Sequence, residues 1–388
     1  MGEVMSLVSH ESYARCVNEL VCLDMANSQL FVDRLSRAWD NNDAVFPLDQ
    51  RLPLPARQHI LNVVKPTIIA TSEGDTRIDG LPVEPGDAIV VATSGTSGVP
   101  KAAVLTMSAV EASARATTEY LNVTLRDMWL ACLPPSHVGG LSVITRSLIM
   151  GTSLIAVPNF SPDSYAKAAQ NGATLVSLVS TALQRIDPTL FRAIVLGGSR
   201  QSSQLPPNCI ITYGLTETGS GVVYNGKALR GVELEIRDSI VYVRAPMLLR
   251  AYRDGTVPLD SNGWFCTRDR GTLSEDGVLS IEGREDDLII TGGENVWPEI
   301  VEDALRNFPS ITDLCVVGVS DPEWGHAVHV WIVTTDARLI SLNAIREHVK
   351  QTLPAHCAPQ QLHIVSEIPR TALGKPQRSI LVERLQTS

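Results

Sequence analysis

The sequence predicts an α/β fold, with a large N-terminal domain of β-sheets flanked by helices and a smaller α+β domain after it. Three observations predict this. From residue 87 to 196, short β-rich runs alternate with helical ones, the pattern of parallel strands joined by crossover helices. Between 241 and 282 the pattern changes to short strands and tight turns. Past Gly283-Arg284-Glu285-Asp286-Asp287 a compact unit has its own periodicity, which divides the chain into residues 1–285 and 286–388. A chain of 388 residues is long enough for two cores.

Taken in order, an amphipathic stretch at 30–39 reads as a helix, followed by a Pro-rich passage through Pro47, Pro53 and Pro55 with no visible chemistry. Residues 88–92, 128–133, 153–157, 174–178 and 193–196 read as strands, with helical runs at 107–121 and 142–150. Glu275-Asp276-Gly277 marks a turn between 264–267 and 278–281. In the last unit Ile300, Val301, Ala304, Leu305 and Phe308 form one helix face. Residues 314–319, 328–333 and 362–365 are strands, and Ser341 caps a helix that turns Leu342, Ile345, Val349 and Leu353 inward.

Composition narrows the function. A net charge of -10 argues against a nucleic-acid surface, so any polyanionic ligand must be met by locally placed cations. The seven cysteines are scattered with no C-x-x-C spacing, which indicates neither a disulfide framework nor a zinc site and fits a reducing compartment. No apolar run approaches the ~18 residues of a membrane span, and the N-terminus lacks a signal-peptide profile. The expectation is a cytoplasmic protein without membrane insertion.

Chemistry enters at Ile89-Val90-Val91-Ala92, which leads into Thr93-Ser94-Gly95-Thr96-Ser97-Gly98-Val99-Pro100-Lys101. Small residues let backbone N–H groups approach phosphate oxygens, hydroxyls add donors, and the closing lysine adds a compact positive charge. It is not a Walker loop, because Pro100 precedes Lys101 and Ala102-Ala103 follow it. Four further segments share its polar, glycine-punctuated character: Tyr213-Gly214-Leu215-Thr216-Glu217-Thr218, Gly263-Trp264-Phe265-Cys266-Thr267-Arg268-Asp269, Gly283 to Asn295, and Pro369 to Arg378 with Gly374-Lys375 inside it. A weaker signal is Gly197-Gly198-Ser199 at a strand end.

In order and rough spacing these segments resemble the AMP-forming adenylating enzymes, the superfamily of acyl-CoA synthetases, free-standing adenylation domains and luciferases. The resemblance covers the chain from about Ala88 to Leu381. It implies ATP and Mg2+ as cofactors, coenzyme A as co-substrate, a small-molecule carboxylic acid as substrate, and a small domain that rotates between two half-reactions. By the same resemblance, Thr93 to Gly98 and Lys101 hold phosphate, Gly198 and Ser199 border the adenine and acyl pockets, and Tyr213 stacks on adenine beside Gly214. Thr216 contacts the α-phosphate, Glu217 holds Mg2+, Asp269 and Arg284 bind ribose, Asp286 is the hinge, Gly292-Gly293 line the pantetheine tunnel, and Lys375 is the adenylation lysine. Family members usually read Thr-Gly-Asp where this chain has Thr267-Arg268-Asp269. An outward placement of Arg268 is expected.

For the acid, Leu133-Pro134-Pro135-Ser136-His137-Val138-Gly139-Gly140-Leu141 resembles the acyl-pocket segment, with His137 at the gating position. Arg146 lies nine residues on in an apolar stretch, and a semi-buried arginine wants an anion. With the segments around Thr181, Tyr224 and Gly292, these features resemble the o-succinylbenzoate–CoA ligases of menaquinone biosynthesis. Their substrate has two carboxylates, and Arg146 is the candidate partner for the aromatic one. A homodimer is compatible with this resemblance. Three alternatives stand beside it: a fatty-acyl or arylcarboxylate CoA ligase, an adenylation enzyme loading a carrier protein, and a non-catalytic nucleotide-binding scaffold.

Overall fold

The computed structural model describes residues 17–93, 101–197, 205–370 and 376–386. The first sheet has the spatial order Ala251–Tyr252, Lys101–Thr106, Asp87–Thr93, Ala44–Pro47, Leu20–Leu23, Ile68–Ala70, Asp75–Arg77. Its interior pairs are parallel, whereas Asp87–Thr93 and Lys101–Thr106 form an antiparallel hairpin. The second sheet has the order Lys227–Ala228, Gly221–Tyr224, Cys209–Gly214, Ala193–Gly197, Leu175–Val179, Met128–Ala131, Ser153–Ala156, and is parallel from Cys209–Gly214 onward.

Helices Met107–Tyr120 and Val138–Met150 pack on each other. The former also lies on the Asp87–Thr93 hairpin and the latter on Met128–Ala131 and Leu175–Val179. One buried cluster runs through both sheets and both helices, including Leu105, Val110, Trp129, Ile144 and Val222. Strands with both faces covered by apolar layers read as continuous hydrophobic runs, which is why 88–92 and 193–196 were legible as strands.

The Pro-rich passage differs from its expectation. It holds a helix, Leu54–Val64, with Pro53 as N-cap and Pro55 in the first turn. Proline is tolerated there because the first-turn N–H groups have no intrahelical partner.

A third sheet, Glu233–Arg237, Ile240–Arg244, Phe265–Leu273 and Leu279–Arg284, is an antiparallel meander. The turn at Gly277 is present, with φ +70°, but the strand before it extends to Leu273. Residues 267–269 therefore sit within a strand, at an irregularity in its pairing with Ile240–Arg244.

The last sheet has the order Glu294–Val296, Ile289–Thr291, Gly325–Thr334, Ile311–Asp321, with Gln361–Ile364 parallel to Gly325–Thr334. Helices Pro298–Leu305 and Leu342–Lys350 contribute Val301, Leu305, Ile345 and Val349 to one face. Ser341 Oγ caps the second helix, accepting from Ala344 N at 3.2 Å. Leu381 of helix Arg378–Gln386 packs on the other face with Cys315 and Trp331. Among the described residues no buried cluster mixes residues before 282 with residues after 288.

Arg378 ties this unit together. It donates to Asp287 at 2.9 Å, Glu299 at 3.2 Å, Glu302 at 3.0 Å and the Val316 carbonyl at 3.1 Å. Burial pushes the Glu299 pKa up to about 7 despite the nearby guanidinium. Arg370 pairs with Asp313, and its backbone forms a bridge with Pro376.

Candidate active site

Thr93 and Lys101 lie directly opposite each other in the hairpin, so both ends of the candidate phosphate loop are fixed by strand pairing. Ser94, Gly95, Thr96, Ser97 and Gly98 between them lie outside the described residues, as do Gly198, Ser199 and Lys375.

Strand Cys209–Gly214 delivers Tyr213 and then turns through Thr216–Thr218. Gly214 is required there, since a Cβ would fall 2.2 Å from the Ser220 carbonyl oxygen. Thr218 locks the turn: its Oγ1 accepts from the Leu215 N–H at 2.9 Å, and its single O–H faces the Ser220 carbonyl at 2.7 Å and the Leu215 carbonyl at 2.9 Å. This leaves Thr216 and Glu217 half-buried on its outer side.

Tyr213 Oη donates to Asp269 Oδ2 at 2.7 Å, and Arg284 Nη1 donates to Asp269 Oδ1 at 2.9 Å. Burial, then the Asp269 charge, raises the Tyr213 pKa well above that of an ordinary phenol, so it remains a donor. Asp269 is 6% exposed. The residues expected to take adenine and ribose are thus one hydrogen-bonded group.

Arg268 points outward as expected, but it is not merely solvated. Its Nη1 meets Asp286 at 3.2 Å, while Arg284 Nη2 lies 3.8 Å from the other Asp286 oxygen. Its φ of +58° explains the glycine usual at this position, because a Cβ in the left-handed region crowds the backbone. Arg268→Gly should therefore be more stable than Arg268→Ala by about 1 kcal/mol in urea unfolding, both variants having lost the ion pair. Equal midpoints would mean that the position carries no backbone strain.

On the acyl side Arg146 is buried in helix Val138–Met150, 3% exposed, with its guanidinium 4.8 Å from the Trp129 ring centroid. Nη2 donates to Ser142 Oγ at 3.2 Å. Nε and Nη1 have no hydrogen-bond partner, and no carboxylate pairs with the group among the described residues. Burial pushes its pKa down, with the Tyr224 hydroxyl opposing. Ser113, Leu141, Thr145 and Met247 line the narrow cavity beside it.

His137 begins the same helix but is not among the residues lining that cavity. Its Nε2 lies 3.5 Å from Asp49 Oδ2. Burial works to raise the Asp49 pKa, and His137 and Arg51 overcome it and hold the carboxylate well below its usual range. Thr181 is exposed on the short helix Ser180–Leu183. Gly292 and Gly293 form a turn with φ of +57° and +83°, and a Cβ on Gly292 would lie 2.9 Å from the Trp324 ring.

Two neighbours of these residues carried no signal in the sequence. Asp49 lies in the Pro-rich passage. Tyr252, whose hydroxyl donates to Glu217 Oε1 at 2.8 Å, is brought in by the short edge strand Ala251–Tyr252.

The family model described as "AMP-binding enzyme" matches residues 76–243, and that described as "AMP-binding enzyme C-terminal domain" matches 300–375. A Mycobacterium tuberculosis protein named "Probable 2-succinylbenzoate--CoA ligase" is 34% identical over 366 residues, spanning 86% of this chain and 95% of the relative. The 2-succinylbenzoate–CoA ligase of Bacillus cereus is 32% identical over 327 residues, 74% of this chain and 67% of the relative. Among solved structures, o-succinylbenzoate CoA synthetase from Bacillus subtilis, in complex with its acyl-adenylate intermediate, matches with a TM-score of 0.81 at 25% identity. That match covers 94% of this chain and 88% of the other. ATP-bound MatB from Rhodopseudomonas palustris, at 21% identity and a TM-score of 0.85, shares the fold. The chain belongs to the AMP-binding, adenylate-forming enzymes, and within them it is most like the 2-succinylbenzoate–CoA ligases.

Proposed function

We propose that this protein is an ATP-dependent, AMP-forming acid–thiol ligase that converts o-succinylbenzoate to o-succinylbenzoyl-CoA in menaquinone biosynthesis. The observation that carries the choice of acid is Arg146, a buried guanidinium with two donors unpartnered among the described residues. A substrate with a second carboxylate supplies what those donors lack, whereas a fatty acid or benzoate leaves them orphaned.

In the first half-reaction a carboxylate oxygen attacks the α-phosphorus of ATP, forming the acyl-adenylate and releasing pyrophosphate. In the second the CoA thiolate attacks the activated carbonyl and AMP leaves. Tyr213 and Asp269 hold adenine and ribose, with Arg284 fixing the Asp269 carboxylate. Thr93, the 94–98 loop, Lys101 and Thr216 meet the phosphates. Glu217 suits Mg2+, because Tyr252 occupies only Oε1 and the second oxygen has no hydrogen-bond partner among the described residues. A bound Mg2+ offsets charge on the phosphate oxygens. We assign His137, 3.5 Å from Asp49, and Thr181 to the acid side of the site, and Lys375 to gathering the carboxylate and α-phosphate. We place the domain division at 285/286 with Asp286 as hinge, and the pantetheine path along Gly292-Gly293. ATP and CoA as substrates favour the cytoplasm.

The test is AMP and acyl-CoA formation with Mg-ATP and CoA across o-succinylbenzoate, benzoate and several fatty acids. A strong preference for o-succinylbenzoate is expected. Activity only on other acids would keep the ligase and discard the pathway, and pyrophosphate release without AMP or acyl-CoA would point to a carrier-protein acceptor.

A further inference from the structure

The strand Ala251–Tyr252 pairs antiparallel with Lys101–Thr106, Tyr252 facing Ala103. Lys101 lies two residues from Ala103 along that strand, a diagonal neighbour on the same face and within reach of an aromatic ring. The Lys101 ammonium indeed sits 4.9 Å from the Tyr252 ring centroid. The hydroxyl of the same ring reaches Glu217 Oε1 at 2.8 Å, and the backbone N–H of Leu249 anchors the Glu217 carbonyl at 2.7 Å. Tyr252 is 8% exposed, so the ring between the two charges is buried, while Lys101 itself is exposed and Glu217 half-buried. No ion pair joins Lys101 to Glu217 among the described residues, although both flank one side chain. A direct contact would spend the lysine's charge on the carboxylate and leave neither group for a ligand.

We infer that Tyr252 is a positioning residue for the nucleotide site: it braces Glu217 so that the free oxygen faces a divalent cation, and it holds Lys101 toward polyphosphate while keeping the two charges apart. This deepens the reading of Glu217 and Lys101 given above and rests on it. The phenol donates one hydrogen bond and accepts the cation on its ring face, two tasks that separate by mutation. Phenylalanine removes the first and keeps the second; leucine removes both.

The experiment is an electron paramagnetic resonance titration of Mn2+ into the full-length protein with saturating ATP and no acid, alongside metal-free ATP binding by calorimetry. Tyr252→Phe is expected to weaken Mn2+ binding roughly tenfold, the effect of losing a hydrogen bond to a charged group, and to leave metal-free ATP binding unchanged. Tyr252→Leu is expected to weaken both. Glu217→Gln reports on the underlying reading. If it weakens Mn2+ binding and Tyr252→Phe does not, Tyr252 is a packing residue and the inference is overturned. If Glu217→Gln leaves Mn2+ binding intact, the assignment of Glu217 itself fails and takes the inference with it. Tyr252→Phe keeps the ring and its packing, so an unchanged melting temperature separates loss of metal from loss of fold.

Discussion

Arg146→Met should cut kcat/KM for o-succinylbenzoate by about 10²- to 10³-fold, as expected when one partner of a desolvated charge pair is truncated. Monocarboxylate analogues should lose far less, and their kcat/KM should come to rival that of the dicarboxylate. On the proposed reading the aromatic carboxylate reaches the guanidinium from the narrow cavity lined by Ser113, Leu141, Thr145 and Met247. Methionine matches the aliphatic stem and keeps contact with Trp129 without burying a charge. Because the native arginine is buried with two donors unmatched among the described residues, the variant should melt at the same temperature or higher. A uniform loss across all acids, or a fall in melting temperature, would remove Arg146 from substrate recognition and make it part of the core.

Lys375→Ala should abolish adenylation, with a loss of about 10²- to 10³-fold or more, because a fixed cation aimed at developing phosphate charge is among the largest single contributions to such a barrier. Thioester formation from supplied acyl-adenylate should survive largely intact, since no phosphate charge must be gathered in that step. Single-turnover assays of each half separate the two. Equal loss in both halves would show that the lysine supports the fold or the nucleotide pocket in general.

Local signals made much of this molecule readable from its residues. The amphipathic run at 30–39 is helix Gln29–Asp40, and Ser341 caps Leu342–Lys350 as its position before Leu342 and Ile345 indicated. The helix at Leu54–Val64 was hidden by prolines that look like breakers yet stand in its first turn. The candidate site was readable where one segment carries several of its proposed groups, as with Tyr213, Thr216 and Glu217. It was not legible where long-range pairing assembles it. Tyr252 meets Glu217 only because an edge strand returns to Lys101–Thr106, and Asp49 meets His137 across 88 residues of chain. Arg268 was visible as a departure from the family pattern, but its partner Asp286 was set by the strand irregularity at 267–269.

The Arg378 cluster bears on how motion at the proposed hinge, Asp286, would act on the segment that carries Lys375. Two fastened residues flank the lysine motif in the chain: Arg370 on Asp313, with its backbone bridged to Pro376, and Arg378 on Asp287, Glu299 and Glu302. Asp287 is the residue immediately after Asp286. On the reading proposed above, a turn about Asp286 would therefore act directly on the ion-pair cluster that fastens Arg378, so the C-terminal flank of the lysine motif is coupled to the proposed pivot through charge as well as through the chain.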